Sequence, residues 1–373
     1  MKKFLFWTAL ASVALTGCVK NDAEPNPSLG QESEITFNAP VVGKVMRSNV
    51  QGEIGTGYHT GEDFVVTGWA HLENEFDPAT ATVYIDQKVA TYTSTVTADD
   101  VLDPSVDEGT GSWHFMPAYY WPKTHKLTFS AYSPASFQAD NKVIDKTNGI
   151  TLTGVKTPTD VSEHYDLLYS NRVFNQTEKT YAHENDAYKG VDVLFHHAFS
   201  SVHVYVKMDK DYSSVDKNQI IVNNIWFDDV YFGATFEEGL NTGLENNSAN
   251  YSRWKAWTNV TDNFDIEGGN IAIDGTTAVK YGTTAMFIPQ DLHDATKATS
   301  LNVLYTIVNP DGVGIQETIA FPLSGLKDNG SNSIEEWVKG KRYTYTLTFG
   351  LNEIYLAPAV DNWDDVIMSD INI

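Results

Sequence analysis

Cysteine is nearly absent: the 373 residues contain one, Cys18. A disulfide framework, a cysteine-rich zinc site and a CxxC redox pair are therefore excluded within a single copy. Positive charge is also scarce, with 25 Lys and Arg against 49 Asp and Glu and a formal net charge of −24. A surface this acidic repels phosphate backbones, which excludes nucleic acid as a partner. No apolar run reaches the roughly twenty residues that cross a hydrocarbon core. The chain has no GxGxxG after a strand pattern, no Walker loop, no HExxH and no GxSxG. Repeats of fixed period and low-complexity tracts are missing too. Nothing in this inventory calls for a cofactor or a catalytic centre.

What is present begins at the N-terminus. Lys2 and Lys3 precede the apolar stretch Phe4 to Leu15, which is too short to span a bilayer and reads as a signal peptide. It ends in Leu15-Thr16-Gly17-Cys18, which looks like a bacterial lipobox. Small residues before the cysteine suit the peptidase, and the thiol is the atom that accepts a diacylglycerol. An ordinary secretory peptide with a chance cysteine is the alternative. Residues 1–17 are assigned to the signal peptide and residues 18–33, polar and proline-bearing, to an extended tether.

Apolar residues make up 42% of the chain and charged ones 20%, an ordinary globular composition. The length implies about two domains of roughly 150 residues. The 18 Phe, 9 Trp and 19 Tyr, with abundant Thr and Val, favour strands. Period two runs through residues 34–42, 63–69, 81–86, 88–94, 113–120 and 126–132, then 192–195, 202–207, 219–230, 283–288, 301–308, 313–321, 341–349, 354–360 and 366–373. Asn309-Pro310-Asp311-Gly312 is a turn signal between two of these. One short helix is predicted, Ser333 to Lys339, closed by Gly340. Residues 174–191 are polar and aperiodic and are assigned to a linker. The economical fold is all-β: two antiparallel β-sandwich domains in tandem, 34–185 and 186–373.

The chemical candidates are weak. His197 and His203 would share a strand face about 20 Å apart at roughly 3.3 Å per residue, too far for one metal ion. Acidic pairs such as Asp228-Asp229 and Asp364-Asp365 carry little information in so acidic a chain, and Asp328-Asn329-Gly330 reads as a turn. Trp69, Trp113, Trp121 and Trp226 lie within strand patterns or beside them and are assigned to core packing rather than to stacking on sugars.

Several stretches share a pattern: the lipobox at Cys18, Trp121-Pro122 leading into Leu127-Thr128-Phe129-Ser130-Ala131-Tyr132-Ser133-Pro134, Asp166-Leu167-Leu168-Tyr169-Ser170, Phe195-His196-His197-Ala198-Phe199-Ser200, Phe287-Ile288-Pro289-Gln290 and Gly340-Lys341-Arg342-Tyr343-Thr344-Tyr345-Thr346-Leu347. In order and spacing the set resembles the fimbrillin family of Bacteroidales surface lipoproteins, subunits of type V pili. The resemblance implies two transthyretin-like β-sandwiches, no catalysis, an outer-membrane lipoprotein precursor, cleavage by a trypsin-like protease after an arginine, and polymerisation with other fimbrial subunits, as homo- or hetero-polymer, by β-strand exchange in a fimbrium that serves cell adhesion.

Arg47 is the first arginine after the lipobox and follows the alternating residues Ile35, Phe37, Ala39 and Val41. One cut there would release both the lipid on Cys18 and a removable strand. Pro40 argues for an edge position, since its nitrogen donates nothing to a neighbour. A permanent first strand, with Arg47 an ordinary loop residue, is the alternative. A leading segment at the centre of a sheet, with partners on both flanks, would overturn the exchange and leave a lipid-tethered adhesin. The candidate donor is the C-terminal stretch, where Ile367, Ile371 and Ile373 share one parity with the small Ser369 between them; a last strand packed on its own sheet is the alternative. A second function class also stays open: a monomeric surface lipoprotein that binds glycan or host ligand through exposed aromatics. A hydrolase is a third and weaker option.

Overall fold

Alternating sequence becomes extended backbone almost everywhere in a computed structural model that describes residues 33–38, 63–94, 111–178, 190–193, 195–211, 219–239, 253–261, 263–292, 297–328, 330–350 and 354–362. The first strands are β1 (Phe37–Asn38), β2 (Phe64–His71), β3 (Thr82–Ser94), β4 (Gly111–Phe115) and β5 (Lys126–Ser133). A hairpin of β6 (Asn141–Asp145) and β7 (Gly149–Lys156) follows, then the 3-10 turn Val161–Glu163, capped by the Asp160 side chain on Ser162 N–H. Four short strands come next: β8 (Leu168–Ser170), β9 (Val173–Gln176), β10 (Val191–Asp192) and β11 (Phe195–His197).

These elements, apart from the β6–β7 hairpin, make a nine-stranded sheet in the order β10-β1-β4-β3-β2-β5-β8-β11, with β9 also paired to β5. Strand β2 is buried at all eight positions because both faces of the sheet are covered there. Phe64, Val66 and Ala70 enter one core with Phe37, Trp113 and Phe129, while Val65 and Trp69 enter another with Leu152, Phe236 and Trp254. The stretches 81–86 and 88–94 turn out to be one strand, β3. Gln87 sits at φ 43° and its N–H donates to Thr67 Oγ1 at 3.1 Å. This bulge reverses the side-chain parity, so Ile85 and Ala90 both point inward.

The remaining strands are β12 (Ser200–Met208), β13 (Gln219–Asp228), β14 (Val230–Glu237), β15 (Trp254–Thr261), β16 (Phe264–Asp265), β17 (Ile271–Ile273), β18 (Val279–Phe287), β19 (Gln290–Asp291), β20 (Ser300–Val308), β21 (Gly314–Pro322), β22 (Leu326–Lys327), β23 (Ser333–Ile334), β24 (Glu336–Trp337), β25 (Lys341–Phe349) and β26 (Ile354–Asn362). Sheet β18-β12-β25-β26 faces sheet β16-β13-β20-β21, and Val202, Val204, Ile225, Phe227, Tyr345 and Leu347 meet in the core between them. The turn at 309–312 is formed as the sequence implies, with Gly312 at φ 81° and its N–H donating to Asn309 O at 2.9 Å. Most pairings are antiparallel; β1–β10 and β12–β25 are parallel.

Strands from both sides of residue 185 share two sheets. β6 and β7 continue into β14 and β15, and β10 and β11 belong to the nine-stranded sheet. The helix predicted at 333–339 does not form: the segment is extended as β23 and β24. An isolated helix of that length is marginal in water. In the extended form Trp337 stacks on Phe287 with ring centroids 4.5 Å apart and its indole N–H donates to Tyr345 Oη at 3.0 Å. Gly340 keeps the left-handed φ of 66°, but its N–H closes onto Phe199 O at 2.9 Å.

Candidate functional site

The leading segment, residues 33–38, is held at both ends of its short span. Glu34 bridges Tyr120, and Ile35 N–H donates to Tyr119 O at 2.8 Å. The Glu34 carboxylate accepts from His114 Nδ1 at 3.1 Å, and the other ring nitrogen meets Ser112 Oγ at 2.7 Å. Phe37 then pairs antiparallel with Trp113 and parallel with Val191, whose N–H donates to Thr36 O at 2.8 Å.

Side chains do most of the holding. Ile35 and Phe37 are fully buried. The Phe37 ring stands edge-on to Phe64, Phe115 and Phe129 at 5.7, 5.4 and 5.4 Å, the geometry in which a ring's positive edge meets a negative face. Sequence reading placed Phe129 and Trp113 in strands but did not connect them to Phe37. Closely spaced aromatics on β2, β4 and β5 were the available signal.

Pro40 lies outside the described residues, but the edge position inferred from it is corrected for the described part of the strand. Phe37 lies between β4 and β10, one strand in from the end of the sheet. The outer partner is brief, a two-residue strand. It is nonetheless anchored, because Val191 and Val193 are buried in the same core as Ile35 and Phe37. Removing the segment would therefore leave a slot between β4 and β10, lined by aromatic rings, rather than a groove along a free edge.

Cys18, Ala39, Val41 and Arg47, and the C-terminal Ile367, Ser369, Ile371 and Ile373, lie outside the described residues, as do Asp364 and Asp365. The histidines separate. His197 in β11 donates through Nδ1 to Asp166 Oδ2 at 2.6 Å, whereas His203 in β12 meets Ser201 Oγ at 3.2 Å. Burial and the neighbouring Lys339 and Arg253 hold the His196 imidazole down at about 4. Among the described residues no three His, Cys, Asp or Glu side chains come together as metal ligands. Asp328 Oδ1 accepts from the N–H groups of Gly330 and Asn332 at 2.9 and 2.7 Å, which is a turn. Trp69, Trp113 and Trp121 are buried and Trp226 is half-buried.

The model of the fimbrillin-like family matches residues 59–363. The chain belongs to the fimbrillin-like family. The match begins downstream of Arg47, so the leading strand lies outside it. The crystal structure of a fimbrial protein from Bacteroides vulgatus superposes on this fimbrillin-like chain with a TM-score of 0.58 at 19% identity, covering 89% of this chain and all of that one. A proposed cell adhesion protein from Bacteroides uniformis gives a TM-score of 0.46 at 15% identity over 90% of this chain and 99% of its own. At 19% identity the first of these speaks to the fold alone. No curated protein matches the chain.

Proposed function

We propose that the protein is a structural, non-catalytic subunit of a fimbrium on the bacterial surface. It is exported as a lipoprotein acylated on Cys18, cut after Arg47 and polymerised with other fimbrial subunits by strand exchange. Membership of the fimbrillin-like family carries the reading. The buried Ile35 and Phe37 give the exchange step a physical form. Their removal exposes apolar surface costing about 3–6 kcal/mol at roughly 1.5–3 per large side chain. An incoming strand with alternate apolar residues refills the slot and finds hydrogen-bonding partners on β4 and β10. The C-terminal residues Ile367, Ser369, Ile371 and Ile373 are the proposed donor. The sequence halves 34–185 and 186–373 act as one subunit in this reading.

The second reading, a monomeric surface lipoprotein that binds a glycan or host ligand, is favoured by one observation: Phe37 has partners on both flanks, which opposes simple peeling. Limited trypsin treatment of the non-lipidated chain separates the two. Exchange requires a cut after Arg47 followed by ladders that resist dissociation on a denaturing gel. It also requires that the ladders vanish with Arg47→Ala and on deletion of residues 366–373. Cut protein that stays monomeric, or that keeps residues 33–38 bound, selects the second reading.

A further inference from the structure

Protein sheets normally blunt their edges, because a row of unpaired N–H and C=O groups is a template for another chain. Most edges here are blunted. β10, β11, β16 and β17 have two or three residues each. β26 carries Pro358 in its middle. The pairings of β15 and β18 are broken by register shifts. β6 has only five residues, and two of them, Lys142 and Asp145, are charged, which leaves β21 as the exception. It has nine residues, pairs with β20 alone among the described residues, and keeps one register from Ser300↔Pro322 to Val308↔Gly314 without a bulge. Residues 314–318 are all exposed, and Glu317 is the only charge in the strand. Ile315, 63% exposed, sits near its start.

The direction of the free groups follows from the turn. Asn309 N–H donates to Val313 O at 2.9 Å, and at the other end Leu323 N–H donates to Thr299 O at 3.0 Å. Hydrogen-bonded pairs recur at every second position of an antiparallel ladder. Odd-numbered residues of β21 therefore bond to β20, and Gln316, Thr318 and Ala320 turn their N–H and C=O outward.

We propose that β21 is the contact through which two copies of this chain join side by side, antiparallel, with Thr318 on the two-fold axis. In that register Gln316 bonds to Ala320 of the second copy and Thr318 to its twin, giving about six main-chain hydrogen bonds. The exposed Ile315 falls opposite Phe321 of the second copy, and Glu317 falls opposite Ile319, so the two copies' single charges do not meet. Neighbouring registers are worse. An axis at Glu317 sets carboxylate against carboxylate, which destabilises a cross-strand pair. An axis at Ile319 brings Pro322, with no N–H to give, opposite Gln316 inside the paired stretch, whereas the Thr318 axis leaves it at the outer end against Gly314. An axis at Gln316 sets Ile315 against Glu317 and leaves Ala320 and Phe321 beyond the pairing. Self-pairing fits a partner of identical charge because the edge itself is nearly neutral, although each copy carries a net charge of −24. Salt screens the repulsion between the two bodies, so the contact strengthens as ionic strength rises. It is independent of strand exchange, since it uses a different sheet and needs no cleavage.

The test uses the full chain carrying Cys18→Ala and Arg47→Ala, so that neither lipid nor the proposed cut contributes. Single cysteines are placed at Gln316, Thr318 and Ala320. Paired Thr318 Cα atoms would lie about 5.5 Å apart, within disulfide reach, whereas the other two positions meet their own copies at roughly 14 Å, four residues along at about 3.4 Å each. Mild oxidation is expected to give covalent dimer from Thr318→Cys at several-fold higher yield than from Gln316→Cys or Ala320→Cys. Sedimentation equilibrium is expected to show a dimer at least tenfold weaker in Thr318→Pro, which removes an outward donor, and in Ile315→Lys. The unsubstituted edge should dimerise several-fold more tightly in 0.5 M than in 0.05 M salt. Equal yields at the three positions, no dimer from Thr318→Cys, or dimerisation unchanged by Ile315→Lys would overturn the proposal. Should Thr318→Pro unfold, as circular dichroism would show, the cysteine pattern and Ile315→Lys decide.

Discussion

Glu238 carries a carboxyl group into one of the driest places in the molecule. Its Oε2 accepts from Ile150 N–H at 3.0 Å, its own N–H donates to Ile150 O at 2.8 Å, and Arg253 Nη1 donates to its carbonyl. Burial pushes the acid up to about 7, although the Ile150 hydrogen bond, Arg172 and Arg253 pull it down. His164 is the opposite case. Its Nδ1 accepts from Met286 N–H at 2.9 Å and its Nε2–H donates to Pro158 O at 2.8 Å, and burial holds the ring down at about 4. The signs follow from linkage. An acid raised in the folded state adds stability that is full below its unfolded value near 4.5 and is lost as pH climbs through 7. A base lowered in the folded state adds stability that is full above 6.5 and is lost as pH falls through 4. Between these limits the two trends oppose one another, so only variants separate them. Glu238→Gln should remove a contribution that shrinks by on the order of 3 kcal/mol from pH 4 to pH 8. His164→Asn should remove one that shrinks in the other direction. Urea midpoints across that range check both, and curves that stay parallel to the unsubstituted protein's would refute the assignment.

Strand β1 has two residues, yet the Phe37 ring meets rings on three other strands, β2, β4 and β5, and its main chain pairs with β10. Phe37→Ala takes a fully buried ring from among Phe64, Phe115 and Phe129 and should lower stability by about 3–5 kcal/mol. Phe37→Leu should cost less. Denaturant titration of both variants measures this; a loss below about 1 kcal/mol would mean that the ring is dispensable to the core. How much of this element could be read in advance is instructive. Alternation named Ile35 and Phe37 as inward-facing, since parity is local information. It could not name the neighbours, because Val191 is far along the chain and joins through a two-residue parallel pairing that leaves no period to detect. The same limit explains β3, where one bulged residue made a continuous strand look like two. It also explains residues 333–339, where spacing that suits a helix was outweighed by Trp337 stacking on Phe287. Arg172 was invisible as well. Its guanidinium lies over Trp69 at 4.8 Å and donates to Asp145 O and Lys146 O at 3.0 and 2.8 Å, partners that only the assembled sheets bring to it.

Those guanidinium bonds also bear on how the whole molecule responds to stress. Arg172 follows β8 of the nine-stranded sheet, and its acceptors are the last residue of β6 and the first residue of the turn to β7, in another sheet. That second sheet draws two strands from before residue 185 and two from after it, and Ala198 N–H donates across the divide to Leu167 O at 2.8 Å. One core is shared as well: Trp69, Phe137 and Leu152 pack with Phe199, Phe236 and Trp254. A fragment ending at residue 185 would leave β7 without β14 and Tyr169 without Phe236, exposing large apolar side chains worth about 1.5–3 kcal/mol each. Such losses exceed what a marginally stable unit of that size tolerates. Calorimetry of the intact chain should therefore show a single transition whose calorimetric and van't Hoff enthalpies agree. The fragment 34–185 should lack a cooperative melt. Two resolved transitions, or a fragment that melts sharply, would mean that the shared core contributes little and that the halves are bound by their linker alone. For a subunit of a surface fibre the difference matters. In the proposed fibre, halves that melt together through the β7–β14 ladder and the core beneath it would leave no soft joint within the subunit.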